Sequence, residues 1–365
     1  MSDLNGIKIA IVHDALINAG GAERTVTYMC EAFPEAPLFT SAYFPDSTFS
    51  TFHTRQIHTL PGSQWVHTEH GAKRCLLLWL WGFWRLNLSG FDVVLSSTTF
   101  GAKHIRPPAA TPHVCYCYAP FRWLWKPEVY SADSLPVNRG LAAASALLRS
   151  PLRRLDFQAM RGVSRIATSC QNMAREIEAC YRRDAQVIYP PICLSDYNVD
   201  NRNSGYYLSV SRLISHKRVD LAIQACRQLG RRLVVVGDGP ELTMLKSLAN
   251  QTTHFVGRVT DTELRDLYAG CRAVIFPSHE DYGIVPLEAN ASGRPVIAYK
   301  AGGVLETMIE NETAIFFEEQ TVESVAEAIQ RSERIQFDPQ TIRQAVQRFD
   351  VEYFKANLRE FVLKS

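Results

Sequence analysis

Short apolar runs alternate with amphipathic segments along most of the chain. In the first half, residues 7–12, 91–98 and 113–120 are mainly apolar stretches of strand length, and residues 20–33 carry apolar side chains at helical spacing. The stretch RIATSCQNMAREIEACY, from Arg165, reads as a strand that runs into a helix. Strands that alternate with helices of this length form parallel sheets with helices on both faces. The pattern predicts an α/β, doubly wound domain.

A second series of the same kind follows an interruption. The stretch VIYPPICLSDY contains two prolines, and a polar stretch follows at residues 198–205, which we interpret as a linker. Beyond it, YYLSVSRL, RLVVVGDGP, THFVGRV and AVIFPS read as strands, separated by helix-like segments. We therefore predict two Rossmann-like domains, residues 1–200 and 201–345, that face each other across a cleft. The amphipathic tail, about residues 346–365, is expected to pack back on the first domain.

Length and composition agree with this division. The chain has 365 residues, more than one hydrophobic core usually supports. A hydrophobic share of 46% and a charged share of 21% are typical of a soluble globular protein, and a net charge of +2 does not indicate a nucleic-acid binder. No signal peptide is recognisable, and nine cysteines without framework spacing indicate reduced thiols. The expected location is the cytoplasm.

Several groups that suit an anionic ligand fall at predicted strand ends, where ligands bind in open parallel sheets. Gly20 and Gly21 precede a helix whose N-terminus favours negative charge, although Gly-Gly is more often a simple turn. Arg212 and Lys217, in SRLISHKR, could together hold a diphosphate, and two solvated cations are the equally balanced alternative.

The stretch SHEDYGIVPLEA carries two glutamates eight residues apart. Glu280 follows a predicted strand, Gly283 allows a sharp turn, and the amides near Ile284 and Val285 would open a helix. Glu288 lies in the first turns of that helix. Carboxylates accept hydrogen bonds from vicinal hydroxyls, and helix N-termini suit phosphates. The stretch therefore favours a nucleotide-sugar over its structural alternative, a capping glutamate and a surface glutamate.

The motif SHEDYGIVPLEANASGRPVIA resembles the E-x7-E motif of the retaining glycosyltransferases of family 4, which have the GT-B fold. The segments GGAERTV, SRLISHKR, VVVGDGPE, HFVGRV and GGVLETM also resemble family segments in family order. Within the family, the pattern is most similar to bacterial mannosyltransferase-like enzymes of surface-polysaccharide assembly. The resemblance covers nearly the whole chain.

The resemblance implies a role for each matching residue. Arg212 and Lys217 would hold the donor diphosphate, Glu288 the ribose, and Glu280 the hydroxyls of the transferred sugar. The remaining donor contacts would come from backbone-rich turns in both domains. These are Gly20, Gly21, Gly257, Arg258, Val259, Tyr282, Gly283, Ile284 and Val285.

One segment departs from the family pattern. Relatives often carry a histidine in a CHTP-like turn, where this chain reads CYAP with Tyr118, so a histidine base is excluded at that position. Tyr118 can still donate or accept a hydrogen bond, and we count it with Glu280, Arg212 and Lys217 among the catalytic candidates. The family's same-face mechanism, in which the leaving phosphate takes the acceptor proton, needs no strong protein base. His104 is a weaker candidate for acceptor contact.

No cofactor or metal is expected. No two aspartates lie two residues apart, so the D-x-D metal motif is missing. Arg212, Lys217 and the helix N-terminus would neutralise the leaving diphosphate instead.

An acceptor surface is indicated in the first domain. Residues 75–84, CLLLWLWGFW, crowd three tryptophans between Lys73, Arg74 and Arg85, and residues 73–165 hold thirteen Lys or Arg against four Asp or Glu. Tryptophan beside cations is typical of a membrane interface, but a run of about ten apolar residues is too short to span a bilayer, which needs about 20. We expect peripheral contact with the anionic inner face of the cell membrane; a core helix with a basic outer face is the alternative.

These observations predict a retaining, metal-independent hexosyltransferase in polysaccharide or glycolipid synthesis. The donor would be UDP-glucose, with GDP-mannose next, and the acceptor a saccharide or a lipid-linked saccharide. Two alternatives remain: a sugar-nucleotide epimerase or phosphorylase on similar domains, and a catalytically inactive nucleotide-sugar-binding partner. The intact set of Glu280, Glu288, Arg212 and Lys217 argues against the inactive partner.

Overall fold

The chain divides into two units, and the C-terminal segment returns to the first of them. The computed structural model describes residues 6–66, 75–127, 139–200 and 204–364. Unit 1 comprises residues 1–190 and 352–365, and unit 2 comprises residues 191–351. Each unit is built around its own parallel sheet.

Unit 1 contains a seven-stranded sheet in the order β3-β2-β1-β4-β5-β6-β7, and every pairing in it is parallel. Its strands are β1 (Ile9–His13), β2 (Leu38–Thr40), β3 (Ile57–Thr59), β4 (Val93–Thr98), β5 (His113–Cys117), β6 (Arg165–Thr168) and β7 (Gln186–Val187). Its helices are α1 (Gly21–Ala32), α2 (Leu76–Trp84), α3 (Arg122–Trp125), α4 (Arg139–Arg161) and α5 (Gln171–Tyr181), and the C-terminal helix α13 (Val351–Leu363) belongs to it almost entirely. Strands β2, β3 and β7 are too short for the apolar pattern to reveal.

Unit 2 contains a six-stranded parallel sheet in the order β10-β9-β8-β11-β12-β13. Its strands are β8 (Tyr206–Val210), β9 (Arg232–Val236), β10 (Thr253–Gly257), β11 (Ala273–Phe276), β12 (Val296–Tyr299) and β13 (Ala314–Phe317). Its helices are α6 (Val219–Leu229), α7 (Leu242–Leu248), α8 (Asp261–Gly270), α9 (Ile284–Ala291), α10 (Val304–Thr307), α11 (Val322–Ser332) and α12 (Pro339–Ala345). Strands β8, β9, β11, β12 and β13 are nearly continuous runs of buried residues, as expected when helices cover both faces. The edge strand β10 has only one buried residue, Thr253.

Helix α13 completes the core of unit 1. Phe354, Leu358, Phe361 and Val362 lie in one buried cluster with side chains of β1, β4, β5 and α1. These four positions recur at the three- and four-residue spacing of one helix face. The tail therefore contributes apolar packing to unit 1, although about 160 residues of unit 2 separate it from the rest of that unit.

The unit boundary differs from the one expected from the sequence. We predicted a linker at residues 198–205, whereas the structure changes unit at Pro190 and returns at Glu352. Tyr197 is buried, its ring lies 6.4 Å from that of Tyr268, and Arg343 donates to its carbonyl oxygen at 2.7 Å. The polar composition of a segment predicts that it is exposed to solvent, but it does not predict which of the two units the segment packs on.

None of the helices in the described residues is both long and apolar enough to cross a membrane.

Candidate functional site

The candidate residues of unit 2 lie at the carboxyl edge of its sheet. The strand order reverses between β8 and β11, so the chain leaves these two neighbouring strands in opposite directions. Such a switch point is where ligands bind in open α/β sheets. The segment after β8 carries Arg212 and Lys217, and the segment after β11 carries Glu280.

Lys217 and Glu280 meet at this switch point. The Lys217 Nζ atom lies 2.5 Å from Glu280 Oε1, although the two residues are 63 positions apart in the chain. Ser278 Oγ also donates to Glu280 Oε1, at 3.0 Å. Both members of the pair are partly exposed, so they remain accessible to a ligand. The cation and the carboxylate are therefore pre-positioned beside each other, with Ser278 restricting the rotamer of Glu280.

Gly302 and Gly303, which follow β12, hold the backbone of Glu280 in place. The Gly303 amide donates to the Glu280 carbonyl oxygen at 2.9 Å, and Glu280 pairs with Gly302 in an isolated parallel bridge. A Cβ on Gly302 would lie 2.1 Å from that carbonyl oxygen, and one on Gly303 would lie 2.4 Å from Tyr282 Cα. The segment GGVLETM is thus glycine-rich because two backbones touch there.

We expect Gly302→Ala to destabilise unit 2 by roughly 2–4 kcal/mol, because it adds both left-handed strain and a clash. Gly302 has φ +75°, and its Cβ would meet backbone atoms. Gly230→Ala is the matched control: Gly230 has φ +64° but no atom within 4 Å of its Cβ. Its expected cost is about 1 kcal/mol, from strain alone. Hydrogen exchange of the β11 and β12 amides measures both, and equal effects would show that the contact with Glu280 contributes nothing.

The N-terminus of α9 opens immediately after the turn. Gly283 adopts φ +80° and precedes Ile284, the first helical residue. The first N–H groups of a helix have no partner within it, and Pro286 at the third position has no N–H at all. The amides of Ile284 and Val285 are therefore the donors this helix end offers to an anion. Tyr282 is buried beside them.

Glu288 has a different environment from Glu280. It is 5% exposed, and its Oε2 accepts a hydrogen bond of 2.8 Å from the hydroxyl of buried Tyr268 on α8. Burial and the charge of Glu288 raise the pKa of Tyr268 well above its ordinary value, so the phenol remains a donor. Sequence reasoning missed Tyr268, since nothing in TDTELRDLY distinguishes it from a core tyrosine.

Arg212 lies on a loop fixed by two close backbone approaches. Its neighbours bond to the turn after β9: the Ser211 amide donates to Val236 O at 3.1 Å and the Leu213 amide to Asp238 O at 3.0 Å. Cβ atoms on Gly237 and Gly239 would lie 1.9 Å and 2.3 Å from the carbonyl oxygens of Ser211 and Leu213. Gly237 and Gly239 therefore allow the turn after β9 to pack closely against the backbone of the loop that carries Arg212.

The Arg212 side chain itself is exposed. No carboxylate of the described residues lies within ion-pair distance of it. Its charge is thus available to a ligand, and backbone hydrogen bonds hold the residues on either side of it.

The turn after β10 carries the predicted base-proximal residues. Gly257 has φ +73°, and its carbonyl oxygen accepts from the Gly237 amide at 2.8 Å. The Arg258 side chain is mostly exposed and lies 3.9 Å from Asp238, while Val259 is half-buried. Because this ion pair is long and exposed to solvent, it holds the Arg258 side chain only weakly. The backbone is the better-held part of the turn, which agrees with the expectation that the turn contacts the base mainly through its backbone.

In unit 1, Gly20 and Gly21 follow β1 and begin α1. The Gly20 amide already donates to Oε2 of Glu23 at 3.1 Å, and a Cβ on Gly20 would lie 2.6 Å from that oxygen. Glu23 thus places a carboxylate at the helix N-terminus that we had assigned to a phosphate. Gly21 is exposed.

Tyr118 belongs to a chain of hydrogen bonds at the carboxyl edge of the sheet of unit 1. Its hydroxyl donates to Ala22 O at 3.1 Å and lies 3.1 Å from Ser97 Oγ. His13 Nδ1 lies 3.1 Å from both Ser97 Oγ and Ser97 O, so this nitrogen carries the proton. Burial raises the pKa of Tyr118 and lowers that of His13. Tyr118 is therefore a neutral hydrogen-bonding group.

Asp14 organises the loop after β4, a role that sequence reasoning missed. Its carboxylate accepts hydrogen bonds of 2.6–3.0 Å from the four backbone N–H groups of Thr99 to Ala102. It also accepts one from the hydroxyl of Thr98 and one from that of Thr99. Burial alone would raise the pKa of Asp14, but His13 and these amides bring it below its ordinary value. Asp14 thus fixes the turn that leads to His104.

His104 lies at the edge of a buried ionic cluster. Lys103 and Asp156 are fully buried and lie 2.8 Å apart, and His104 Nε2 is 4.0 Å from Asp156. The His104 side chain is 14% exposed, and burial lowers its pKa. This small exposure leaves little of the imidazole for contact with an acceptor.

In the part of the chain that the structure describes, no group of three or more His, Cys, Asp or Glu residues could hold a metal ion.

Comparison with known proteins identifies unit 2. Residues 197–348 match the family model described as "Glycosyl transferases group 1". This segment is a group 1 glycosyl transferase domain. It contains Arg212, Lys217, Glu280 and Glu288.

Two curated relatives match about a third of the chain each. A glycogen synthase of Pseudomonas aeruginosa is 33% identical over 133 residues, 34% of this chain and 26% of the relative. A GDP-mannose-dependent alpha-(1-6)-phosphatidylinositol monomannoside mannosyltransferase of Mycobacterium tuberculosis is 35% identical over 138 residues, 33% of this chain and 36% of the relative. The matched part therefore spans about a quarter to a third of these relatives.

Solved structures match almost the whole chain. The Anabaena HepE protein in complex with UDP aligns with a TM-score of 0.73 and 18% identity, covering 98% of this chain and 100% of that one. A sucrose-phosphate synthase of Thermosynechococcus elongatus aligns with a TM-score of 0.71 and 16% identity, covering 98% of each chain. Each unit thus has the Rossmann-like α/β fold expected of a GT-B protein, and the predicted fold class is confirmed.

Proposed function

We propose that this chain is a retaining glycosyltransferase that moves a hexose from a nucleotide-sugar to a saccharide or lipid-linked acceptor. The observation that carries the proposal is the Lys217–Glu280 pair at the switch point of a group 1 glycosyl transferase domain. A cation suits the phosphates of a sugar diphosphate, and a carboxylate suits its sugar hydroxyls. Both groups lie side by side at this switch point.

The donor diphosphate would be bound by Lys217, Arg212 and the amides at the start of α9. Lys217 has three N–H donors and uses one on Glu280, so it can contact a phosphate without losing that partner. The exposed Arg212 adds a second charge. Pre-positioned positive groups stabilise the charge that develops on the leaving phosphate.

Glu280 would accept hydrogen bonds from the hydroxyls of the transferred hexose, and Glu288 from those of the ribose. Ser278 and Lys217 hold the carboxylate of Glu280, and Tyr268 holds that of Glu288. In this scheme the acceptor hydroxyl attacks the face from which the phosphate leaves, and a phosphate oxygen takes its proton. The neutral Tyr118 then has a positioning role.

We propose UDP-glucose as the donor, with GDP-mannose as the second candidate. The departure at Tyr118 from the mannosyltransferase-like turn favours a glucosyl donor, and the Anabaena HepE structures include one in complex with UDP-glucose. The similarity to a GDP-mannose-dependent enzyme supports the second candidate.

Transfer is proposed to need no divalent metal, because two cationic side chains and a helix N-terminus would offset the charge of the diphosphate. The acceptor is proposed to be presented at the anionic inner face of a membrane, in polysaccharide or glycolipid synthesis. A nucleotide-sugar epimerase would instead return an isomerised donor, and an inactive partner would bind donor without turnover.

Calorimetry of the full chain with UDP, GDP, ADP and their common sugars, in the presence of EDTA, tests the proposal. We expect one nucleotide to bind, and Glu288→Gln to weaken it roughly 10- to 100-fold, the effect of losing a hydrogen bond to a charged group. The side-chain amide of this variant can still accept the Tyr268 hydroxyl through its carbonyl oxygen, so the buried contact survives. Glu312→Gln, at an exposed glutamate of the same unit, is the matched control.

Each outcome has a defined meaning. Binding only after a divalent ion is added would contradict metal-independent transfer. Binding without release of nucleotide from the sugar donor would favour the inactive partner. Binding that Glu288→Gln leaves unchanged would remove Glu288 from the site.

A further inference from the structure

Helix α2 presents large apolar side chains to solvent. Leu77, Leu78, Trp81 and Trp84 are 56%, 39%, 51% and 44% exposed. Their positions recur at helical spacing, so they form one face of the helix. The opposite face, with Trp79 and Phe83, is buried against β1, β4 and the turn Ala102–His104. The helix is therefore anchored on one side and uncovered on the other.

The exposed tryptophans are paired with arginines. The Arg85 guanidinium lies 5.7 Å from the centre of the Trp81 ring, and the Arg106 guanidinium lies 4.5 Å from that of Trp84. From residue 75 to residue 127 the sequence has five Lys or Arg and a single acidic residue, Asp92. The apolar face is thus bordered by positive charges, and helix α2 itself carries no acidic residue that would neutralise them. Lys73 and Arg74, which we expected beside it, lie outside the described residues.

Helix α4 extends the same combination of side chains. It packs against the turn Ala102–His104, as α2 does, and exposes Leu148 and Leu155. Arg153 lies 4.4 Å from the ring centre of Trp125, which adds a further tryptophan–arginine pair. The acidic residue of this helix segment, Asp156, is buried and paired with Lys103, so it does not offset the exposed arginines.

We propose that the α2 face, namely Leu77, Leu78, Trp81, Trp84, Arg85 and Arg106, docks unit 1 on an anionic phospholipid surface. Tryptophan and leucine insert into the headgroup region, while arginine remains at the charged surface. A second copy of the chain fits this face poorly, because a two-fold contact would bring the same arginines of both copies together. The inference deepens the proposed function, since it supplies the surface that presents a lipid-linked acceptor.

Sedimentation of the full chain with vesicles tests this docking. The chain should pellet with phosphatidylcholine vesicles that contain phosphatidylglycerol, less with pure phosphatidylcholine, and less at high salt. Arg85→Ala with Arg106→Ala should weaken partitioning about 25-fold, about fivefold for each arginine. Arg334→Ala, at an exposed arginine of unit 2, is the charge control.

Trp81→Ala with Trp84→Ala tests insertion separately from charge. Binding should shift tryptophan emission to the blue and allow brominated lipids to quench it, and the double variant should lose both effects. Tyr353→Ala removes a similarly exposed aromatic, at 59%, from α13 and should change nothing. Circular dichroism establishes that each variant is folded.

Three results would overturn the inference: no binding of the unsubstituted chain to anionic vesicles, equal binding by the variants and their controls, or a dimer in solution that the tryptophan substitutions disrupt. Nucleotide binding measured on the same preparation separates these failures from failure of the proposed function. A chain that binds nucleotide but no vesicle keeps the transferase proposal and loses the membrane one.

Discussion

Lys217→Ala is expected to lower the turnover of the sugar donor roughly 100- to 1,000-fold, the usual effect of removing one pre-positioned charge stabiliser from an active site. The substitution removes a cation proposed to face the leaving diphosphate. It also removes the partner that lies 2.5 Å from Glu280 and orients it. The effect should fall mainly on kcat, because the charge on the phosphate grows as the bond to the sugar breaks.

Donor turnover, followed as release of free nucleotide, is the measurement. Lys246→Ala removes an exposed lysine elsewhere on unit 2 and should retain activity. Glu280→Ala and the double variant complete a cycle. Since both side chains form one unit, the double variant should lose less than the product of the single losses. Full activity of Lys217→Ala would mean that the pair has only a structural role.

Lys103→Met is expected to destabilise unit 1 by about 3–5 kcal/mol, the range measured when one partner of a buried ion pair is removed. Lys103 and Asp156 are both fully buried, and Tyr181 OH and Trp125 Nε1 donate to Asp156 at 2.7 and 2.8 Å. Burial alone would lower the pKa of Lys103, but Asp156 outweighs it and raises the pKa well above its ordinary value. The methionine would leave a buried carboxylate without its cation.

Denaturant unfolding followed by tryptophan emission measures this loss in unit 1 alone. All six tryptophans lie between residues 65 and 125, so the signal does not report on unit 2. Adding Asp156→Leu should restore part of the stability, since it removes the unpaired buried charge. The rescue should be incomplete, because the Tyr181 hydroxyl and the Trp125 indole N–H lose their acceptor. A small effect of Lys103→Met, or no rescue by Asp156→Leu, would contradict the conclusion that Lys103 is needed to neutralise the buried Asp156 carboxylate.

The alternation of apolar and amphipathic segments was sufficient to predict two doubly wound units. It succeeded because a strand buried on both faces needs a continuous apolar run, which is a local property. It failed for β2, β3 and β7, which are two or three residues long. It also misplaced the unit boundary, because the segment around Tyr197 is polar in composition yet packs on unit 2.

The candidate site was only partly accessible from the sequence. The positions of Lys217 and Glu280 at neighbouring strand ends followed from the pattern, and the structure brings their side chains together. The two glutamates of SHEDYGIVPLEA, by contrast, look alike in sequence. Glu280 lies partly exposed beside a cation, whereas Glu288 is buried against Tyr268.

The fold class, the glycine-rich turns and the residues at strand ends could be predicted from the sequence alone, since each depends on neighbours within a few positions. The partners of the charged groups could be identified only in the folded chain: Lys217 with Glu280, Glu288 with Tyr268, and Lys103 with Asp156. This is because a buried or half-buried charge is stabilised by whichever group the sheet order brings near it. The members of these pairs lie 63 and 20 positions apart in the first two cases, beyond the reach of any local pattern.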